Sequence, residues 1–121
     1  MERVEGKPLA EKPNFSSVLR CRWGEGRRFS QVFVVAVGMQ VARAMAYLHD
    51  AGICHGDLYA HNVLVDDDGK TTVCDFGASF FYSNGPRDEC CRMFEGVEVR
   101  AFGLLLKDLA VRGEGCDWIL E

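Results

Sequence analysis

Ile53–Gly77, ICHGDLYAHNVLVDDDGKTTVCDFG, is the stretch from which the fold is read. Val63–Val65 and Thr71–Cys74 are short runs rich in β-branched residues, which suit a pleated, half-buried surface. Between them Asp66-Asp67-Asp68-Gly69 has the residues of a tight turn, with Gly available where positive φ is needed. The pattern predicts a hairpin that brings Asn62, just before the first strand, near Asp75, just after the second. An amide oxygen and a carboxylate converging on one point make a hard oxygen site suited to Mg²⁺, which keeps several waters and takes its remaining ligands from substrate phosphates. Asp57, in the preceding loop, is then free for another task. Taken one at a time, Asp57, Asn62 and Asp75 also fit ordinary turns, because Asp and Asn side chains bond their own backbone. It is the set, in one short context, that points to a site.

The remainder of the chain bounds what such a site can belong to. At 121 residues it has the size of one domain. With 48% hydrophobic and 26% charged residues it has a globular composition. A net charge of -4 leaves no broad basic footprint, so nucleic acid is not expected as a partner. The longest apolar run, Val32–Met39, is too short to span a bilayer, and no targeting segment is seen at the N-terminus; no membrane contact and a cytoplasmic location are expected. The six cysteines, Cys21, Cys54, Cys74, Cys90, Cys91 and Cys116, contain no C-x-x-C pair and match neither a zinc knuckle nor a secreted disulfide framework. Cys90 and Cys91 read as ordinary neighbouring thiols.

In chain order, Met1–Arg28 is read as irregular, with a helical turn around Phe15–Leu19. Gly24-Glu25-Gly26-Arg27-Arg28-Phe29 fails as a phosphate-cradling glycine loop, because its sixth position is Phe29 and no strand precedes it. A long helix is predicted from Ser30, a good N-cap, with Val34, Val37, Val41, Met45 and Leu48 stepping along one face and Gly52 as the stop. Gly38 weakens that helix by about 1 kcal/mol relative to Ala. Ile53-Cys54 is predicted as a short buried strand, and His55 as a core histidine bonded to backbone, since no second ligand stands at metal-binding spacing. The acidic turn fails as a calcium loop and Gly69-Lys70-Thr71 fails as a P-loop, because Leu64 stands where each needs its first liganding residue or glycine. From Ala78 to Gly96 periodicity is lost and a loop is expected. Val97–Leu109 is predicted as a second helix with Val99, Phe102, Leu105, Leu106 and Leu109 on one side, followed by a short tail, Gly113–Glu121.

His55-Gly56-Asp57-Leu58-Tyr59-Ala60-His61-Asn62 resembles the protein-kinase catalytic loop H-R-D-L-x-x-x-N, and Asp75-Phe76-Gly77 resembles D-F-G, in the right order and spacing. Glu98-Val99-Arg100-Ala101-Phe102-Gly103 resembles the D-x-W-S-F-G opening of the central large-lobe helix. Tyr47-Leu48-His49 matches the end of the helix before the catalytic loop. Met1-Glu2-Arg3-Val4 resembles the hinge whose backbone binds adenine, which puts Glu2 among the nucleotide-binding residues. The resemblance implies that Asp57 receives or orients the proton of the attacking hydroxyl, and that Asn62 and Asp75 hold Mg²⁺ on the ATP phosphates. It implies an α+β fold: part of a mainly helical protein-kinase large lobe, with a small β-hairpin carrying the catalytic and D-F-G loops. That domain would occupy residues 1–121, from hinge to central helix.

Departures from the family shape the expectation. Gly56 replaces the Arg that clamps an activation-segment phosphate, the segment is short and lacks A-P-E, and Tyr59 replaces the Lys usual in Ser/Thr kinases. A switch by activation-loop phosphorylation is therefore not expected. The glycine-rich loop, its Lys and the partner Glu are absent from the sequence, as are the last helices. The chain is expected to be a fragment of an ATP- and Mg²⁺-dependent kinase acting on a protein hydroxyl, Ser/Thr ahead of Tyr, and to be inactive alone. In a longer chain an upstream small lobe or leucine-rich repeats would accompany it, as in the kinase-like domains it resembles most. The alternatives are a pseudokinase or interaction module, and a small-molecule phosphotransferase of the aminoglycoside or choline type, which shares H-G-D-x-x-x-x-N.

Overall fold

The computed structural model describes residues 5–13, 22–24, 26–83, 85 and 87–120. The helical turn expected at Phe15–Leu19 and the hinge residue Glu2 lie outside them. The chain runs β1 (Lys7–Pro8), α1 (Gln31–Asp50), β2 (Ile53–Cys54), a 3₁₀ turn (Ala60–Asn62), β3 (Val63–Val65), β4 (Thr71–Val73), β5 (Phe80–Phe81), α2 (Glu89–Val111) and α3 (Asp117–Leu120).

Ser30 caps α1 as expected: its backbone is extended and its Oγ accepts from the Phe33 amide at 3.1 Å. Val34, Val37, Val41 and Met45 are buried, and His49 joins them at the end of the same face. Full burial of each such aliphatic side chain contributes about 1.5–3 kcal/mol. Gly38 is also buried, because α1 and α2 cross there; a Cβ on it would meet Leu106 Cδ1 at 3.0 Å. The helix loses propensity at that residue and gains a close crossing. By length and composition α1 is long and apolar enough to cross a membrane, and here its apolar face forms the core with Leu9, Phe29, Val63, Leu105 and Leu109.

The predicted hairpin is present. β3 and β4 pair antiparallel with Val63 opposite Val73 and Val65 opposite Thr71. Its turn is fixed by Asp66, whose Oδ1 accepts from the amides of Asp68 and Lys70 at 2.9 and 2.8 Å. Two expectations are corrected. The segment before α1 is not wholly irregular, since β1 adds to the hairpin as the outer strand of a β1-β3-β4 sheet. Two residues are too few to show alternation, and Pro8 argues against a strand except at an edge, where β1 lies. Second, α2 begins at Glu89 rather than Val97: Asp88 caps it by accepting from the Cys91 amide at 2.8 Å. Its first two turns are mostly exposed, so no apolar stripe marks them. The inward face is also shifted, with Val99 58% exposed and Glu98 only 6%. The short tail after α2 packs back onto the body: Phe29 bridges to Gly113, Cys116 is fully buried and α3 follows.

β5 is the remaining surprise within the stretch read as loop. Phe80 and Phe81 pair antiparallel with Cys54 and Ile53. Two glycines permit the approach. Gly52 has φ +74 and a Cβ there would lie 2.1 Å from the Ser83 carbonyl oxygen; Gly56 has φ +86 and a Cβ would lie 2.3 Å from that of Ala78. Any side chain at either position would displace the strand.

Candidate active site

β2 delivers the chain from the end of α1 into the loop His55–Asn62. His55 is fully buried. Its Nδ1 accepts from the Asp57 amide at 3.2 Å, so its Nε2 carries the proton donated to the Cys74 carbonyl at 2.8 Å. The Phe76 ring meets the imidazole edge-on at 4.9 Å. The expected core role of His55 is thus observed, and it ties the loop to the end of the hairpin.

Asn62 ends the 3₁₀ turn and is 2% exposed. Its Nδ2 donates to the Asp57 carbonyl at 2.8 Å and to Asp57 Oδ2 at 3.0 Å. The structure therefore brings Asn62 and Asp57 together side chain to side chain. Asn62 and Asp75 are linked through the backbone instead: Cys74 N donates to Asn62 O at 2.8 Å, one step beyond the β3–β4 register. Asp75 is exposed, has φ 61, and accepts from Gly77 N at 3.2 Å through Oδ1. Among described residues it is the non-glycine at positive φ, a conformation rare outside special sites. The sequence reading paired Asn62 with Asp75 through their side chains; the hydrogen bonds pair its amide with Asp57. Glu2 is outside the described residues.

These groups fit a hard divalent cation. Both amide hydrogens of Asn62 face Asp57, so its Oδ1, which accepts no hydrogen bond from the described residues, is available as a ligand. Asp75 Oδ2 accepts no hydrogen bond from the described residues, and the side chain lies open to solvent. Two oxygen donors with room for water and phosphate suit Mg²⁺.

Glu98 completes the site from the middle of α2. Its Oε1 accepts from the His55 amide at 3.0 Å and from His49 Nε2 at 2.9 Å, and its Oε2 accepts from the Gly56 amide at 2.9 Å. Burial alone would raise its pKa; the bonds from Gly56, His55 and His49 outweigh it and hold the carboxyl below the usual glutamate value. Glu98 thus fixes two successive amides immediately before Asp57. This anchoring went unrecognised in the sequence, where Glu98 was only a motif match. A signal existed, since Cys91, Glu98 and Leu105 are spaced by seven and all are buried, so the acid lies on the inward face.

Around this loop, Tyr59 and His61 stack at 5.8 Å. Tyr82 donates its hydroxyl proton to Glu95, with the His49 carbonyl oxygen 3.1 Å from the same hydroxyl, and Arg87 pairs with Glu95 and Asp50 at 3.1 and 3.2 Å. Burial first, then the bond to Glu95, raises the Tyr82 pKa.

The site thus joins a loop whose acid accepts from an asparagine five residues on to a hairpin that runs into Asp-Phe-Gly. Residues 8–90 match the family described as protein tyrosine and serine/threonine kinase, and the chain belongs to the protein kinase family. It is 30% identical over 98 residues to the LEAF RUST 10 disease-resistance locus receptor-like protein kinase-like 1.3 of Arabidopsis thaliana, covering 67% of this chain and 14% of the relative. It is 42% identical over 52 residues to serine/threonine-protein kinase BCK1/SLK1/SSP31 of Saccharomyces cerevisiae, covering 43% and 4%. To tyrosine-protein kinase hopscotch of Drosophila melanogaster it is 29% identical over 102 residues, covering 67% and 9%. The chain thus spans 14% or less of the length of these relatives.

Proposed function

We propose that the chain forms the large-lobe side of a Mg²⁺- and ATP-dependent site that transfers a phosphoryl group to a protein hydroxyl, serine or threonine ahead of tyrosine. The observation carrying this reading is the pair of hydrogen bonds that Asn62 Nδ2 donates to Asp57, one to its carbonyl and one to its carboxylate, made while Glu98 holds the two preceding amides. Asp57 would orient the acceptor hydroxyl and take its proton. Asn62 Oδ1 and Asp75 would hold Mg²⁺, which when bound neutralises phosphate charge. Catalysis of this kind rests on positioning and electrostatics, and the loop is positioned by its backbone before any ligand arrives.

No glycine-rich phosphate loop with its lysine occurs in these 121 residues. We therefore propose that turnover requires a small lobe, and that this polypeptide alone binds nucleotide weakly. A thermal-shift titration with Mg-ATP tests the site directly: a shift at millimolar ligand that Asp75→Ala abolishes supports it. No shift in the wild-type chain, even with a small lobe supplied, would instead indicate an interaction module. Given the lobe, Asp57→Ala should abolish transfer while leaving the Mg-ATP shift in place.

A further inference from the structure

We infer that His49, Cys54 and Glu98 form a binding site for one zinc-type dication behind the catalytic loop. His49 Nε2, Cys54 Sγ and a Glu98 carboxylate oxygen all lie within 4.8 Å of one another, and all three residues are buried. They come from the end of α1, from β2 and from the middle of α2, so packing of three elements holds them together. Zinc bonds of about 2.0–2.3 Å in a tetrahedron need ligand atoms roughly 3.3–3.8 Å apart. The present separations reach that range with small movements: the 2.9 Å contact of His49 with Glu98 widens by a few tenths of an ångström and the thiol closes in.

Two further features favour an ion. Cys54 and Glu98 line a cavity of about 340 Å³, walled by Gly56, Phe80, Phe94 and Val97, which gives an entry path and space for a water as fourth ligand. The ligand set also balances charge: a thiolate and a carboxylate neutralise a dication, and a neutral assembly is what a buried site tolerates. Sulfur with imidazole nitrogen selects zinc over Mg²⁺ or Ca²⁺, which prefer oxygen. Binding sends the Cys54 thiol proton to solvent, and the proton that His49 Nε2 donates to Glu98 in the metal-free protein moves to Nδ1, which frees the Nε2 lone pair for the ion.

The site does not depend on the phosphotransfer reading, but it is joined to the same loop. With the ion seated between His49 and Glu98, the carboxylate still accepts from the His55 and Gly56 amides, so occupancy cross-links α1, β2 and α2 behind Asp57.

The test uses the full chain stripped with a chelator and titrated with Co²⁺, then Zn²⁺. One equivalent of Co²⁺ should give a sulfur-to-cobalt charge-transfer band with the strong visible bands of four-coordinate cobalt, and Zn²⁺ should displace it. Cys90→Ser, which changes an exposed thiol, should leave these bands unchanged. Cys54→Ser, folded by circular dichroism, should lose the charge-transfer band and bind Co²⁺ at least about tenfold more weakly, since even residues that only support a ligand cost that much. If Cys54→Ser does not fold, His49→Gln must show the same weakening. The inference is overturned by a wild-type chain that gives no band, by a band that persists in Cys54→Ser or disappears in Cys90→Ser, or by unchanged affinity in folded His49→Gln.

Discussion

At position 98 a carboxylate occupies the inward face of a helix that otherwise buries apolar residues, and three donors hold it there. Charge-assisted hydrogen bonds contribute about 1.5–3 kcal/mol each, so Glu98→Gln should cost at least about 2 kcal/mol in denaturant unfolding at neutral pH. The sign with pH follows from the lowered pKa. The stabilisation is complete above the unfolded glutamate value of about 4.3 and is lost as pH falls through the folded value. Asp88, lowered by the Cys91 amide it caps, contributes in the same direction. Glu98→Gln should therefore flatten the acid limb of a stability-against-pH curve without removing it; an unaltered limb would contradict the anchoring role. Residue types and spacing marked Asp57, Asn62 and Asp75 in the sequence as candidates. The partner of the Asn62 amide was not, because the turn Ala60–Asn62 rather than the hairpin decides which way it faces. Nor was the work of Glu98, whose bonds reach back 42 and 43 residues.

Pairing of β2 with β5 depends on glycine at both ends, because the Ser83 and Ala78 carbonyls stand where side chains would be. Gly56→Ala should destabilise by more than about 1 kcal/mol in thermal or urea unfolding, since alanine meets both a positive φ and a backbone clash. This also accounts for the absence of arginine there: Ala78 takes the space. Hydroxyls in the segment are already engaged, Ser79 with Phe76 O, Ser83 with Gly85 O and Tyr82 with Glu95 and His49 O. Arg87, a nearby cation, is paired twice. Phosphomimetic changes at Ser79, Tyr82 and Ser83 should thus leave kinase activity flat or lower, as read in a transfer assay with the small lobe present; a rise above tenfold would count against it. Long periodic elements were readable, as α1 shows from cap to stop. Two-residue strands were not, because β1 and β5 exist only through partners distant in sequence.

Among the described residues one core joins α1 and α2 to the β1-β3-β4 sheet, and Leu109 is 1% exposed within it. Leu109→Ala should cost about 2–5 kcal/mol of unfolding free energy, the range for emptying a packed leucine site. The opposite side of α2 is different: Met93, Val97 and Leu104 are 67%, 72% and 56% exposed. Such a strip favours association, and replacing Val97 and Leu104 with lysine should lower light scattering at high concentration without lowering the melting temperature. The class of fold was legible because the hairpin and α1 carry their patterns locally. The docking of the last residues onto Phe29 was not, since a bridge of that separation leaves no mark on local sequence.

The bond from Glu98 to the His55 amide spans 43 residues, and this imposes an order on biosynthesis. At about 5–20 residues per second a ribosome needs roughly 2–9 s after making the loop to reach its acceptor. During that interval the nascent His-Gly-Asp turn has its residues but lacks its anchor. A chain stalled before residue 98 would carry the His-Gly-Asp motif without the carboxylate that holds its loop in shape.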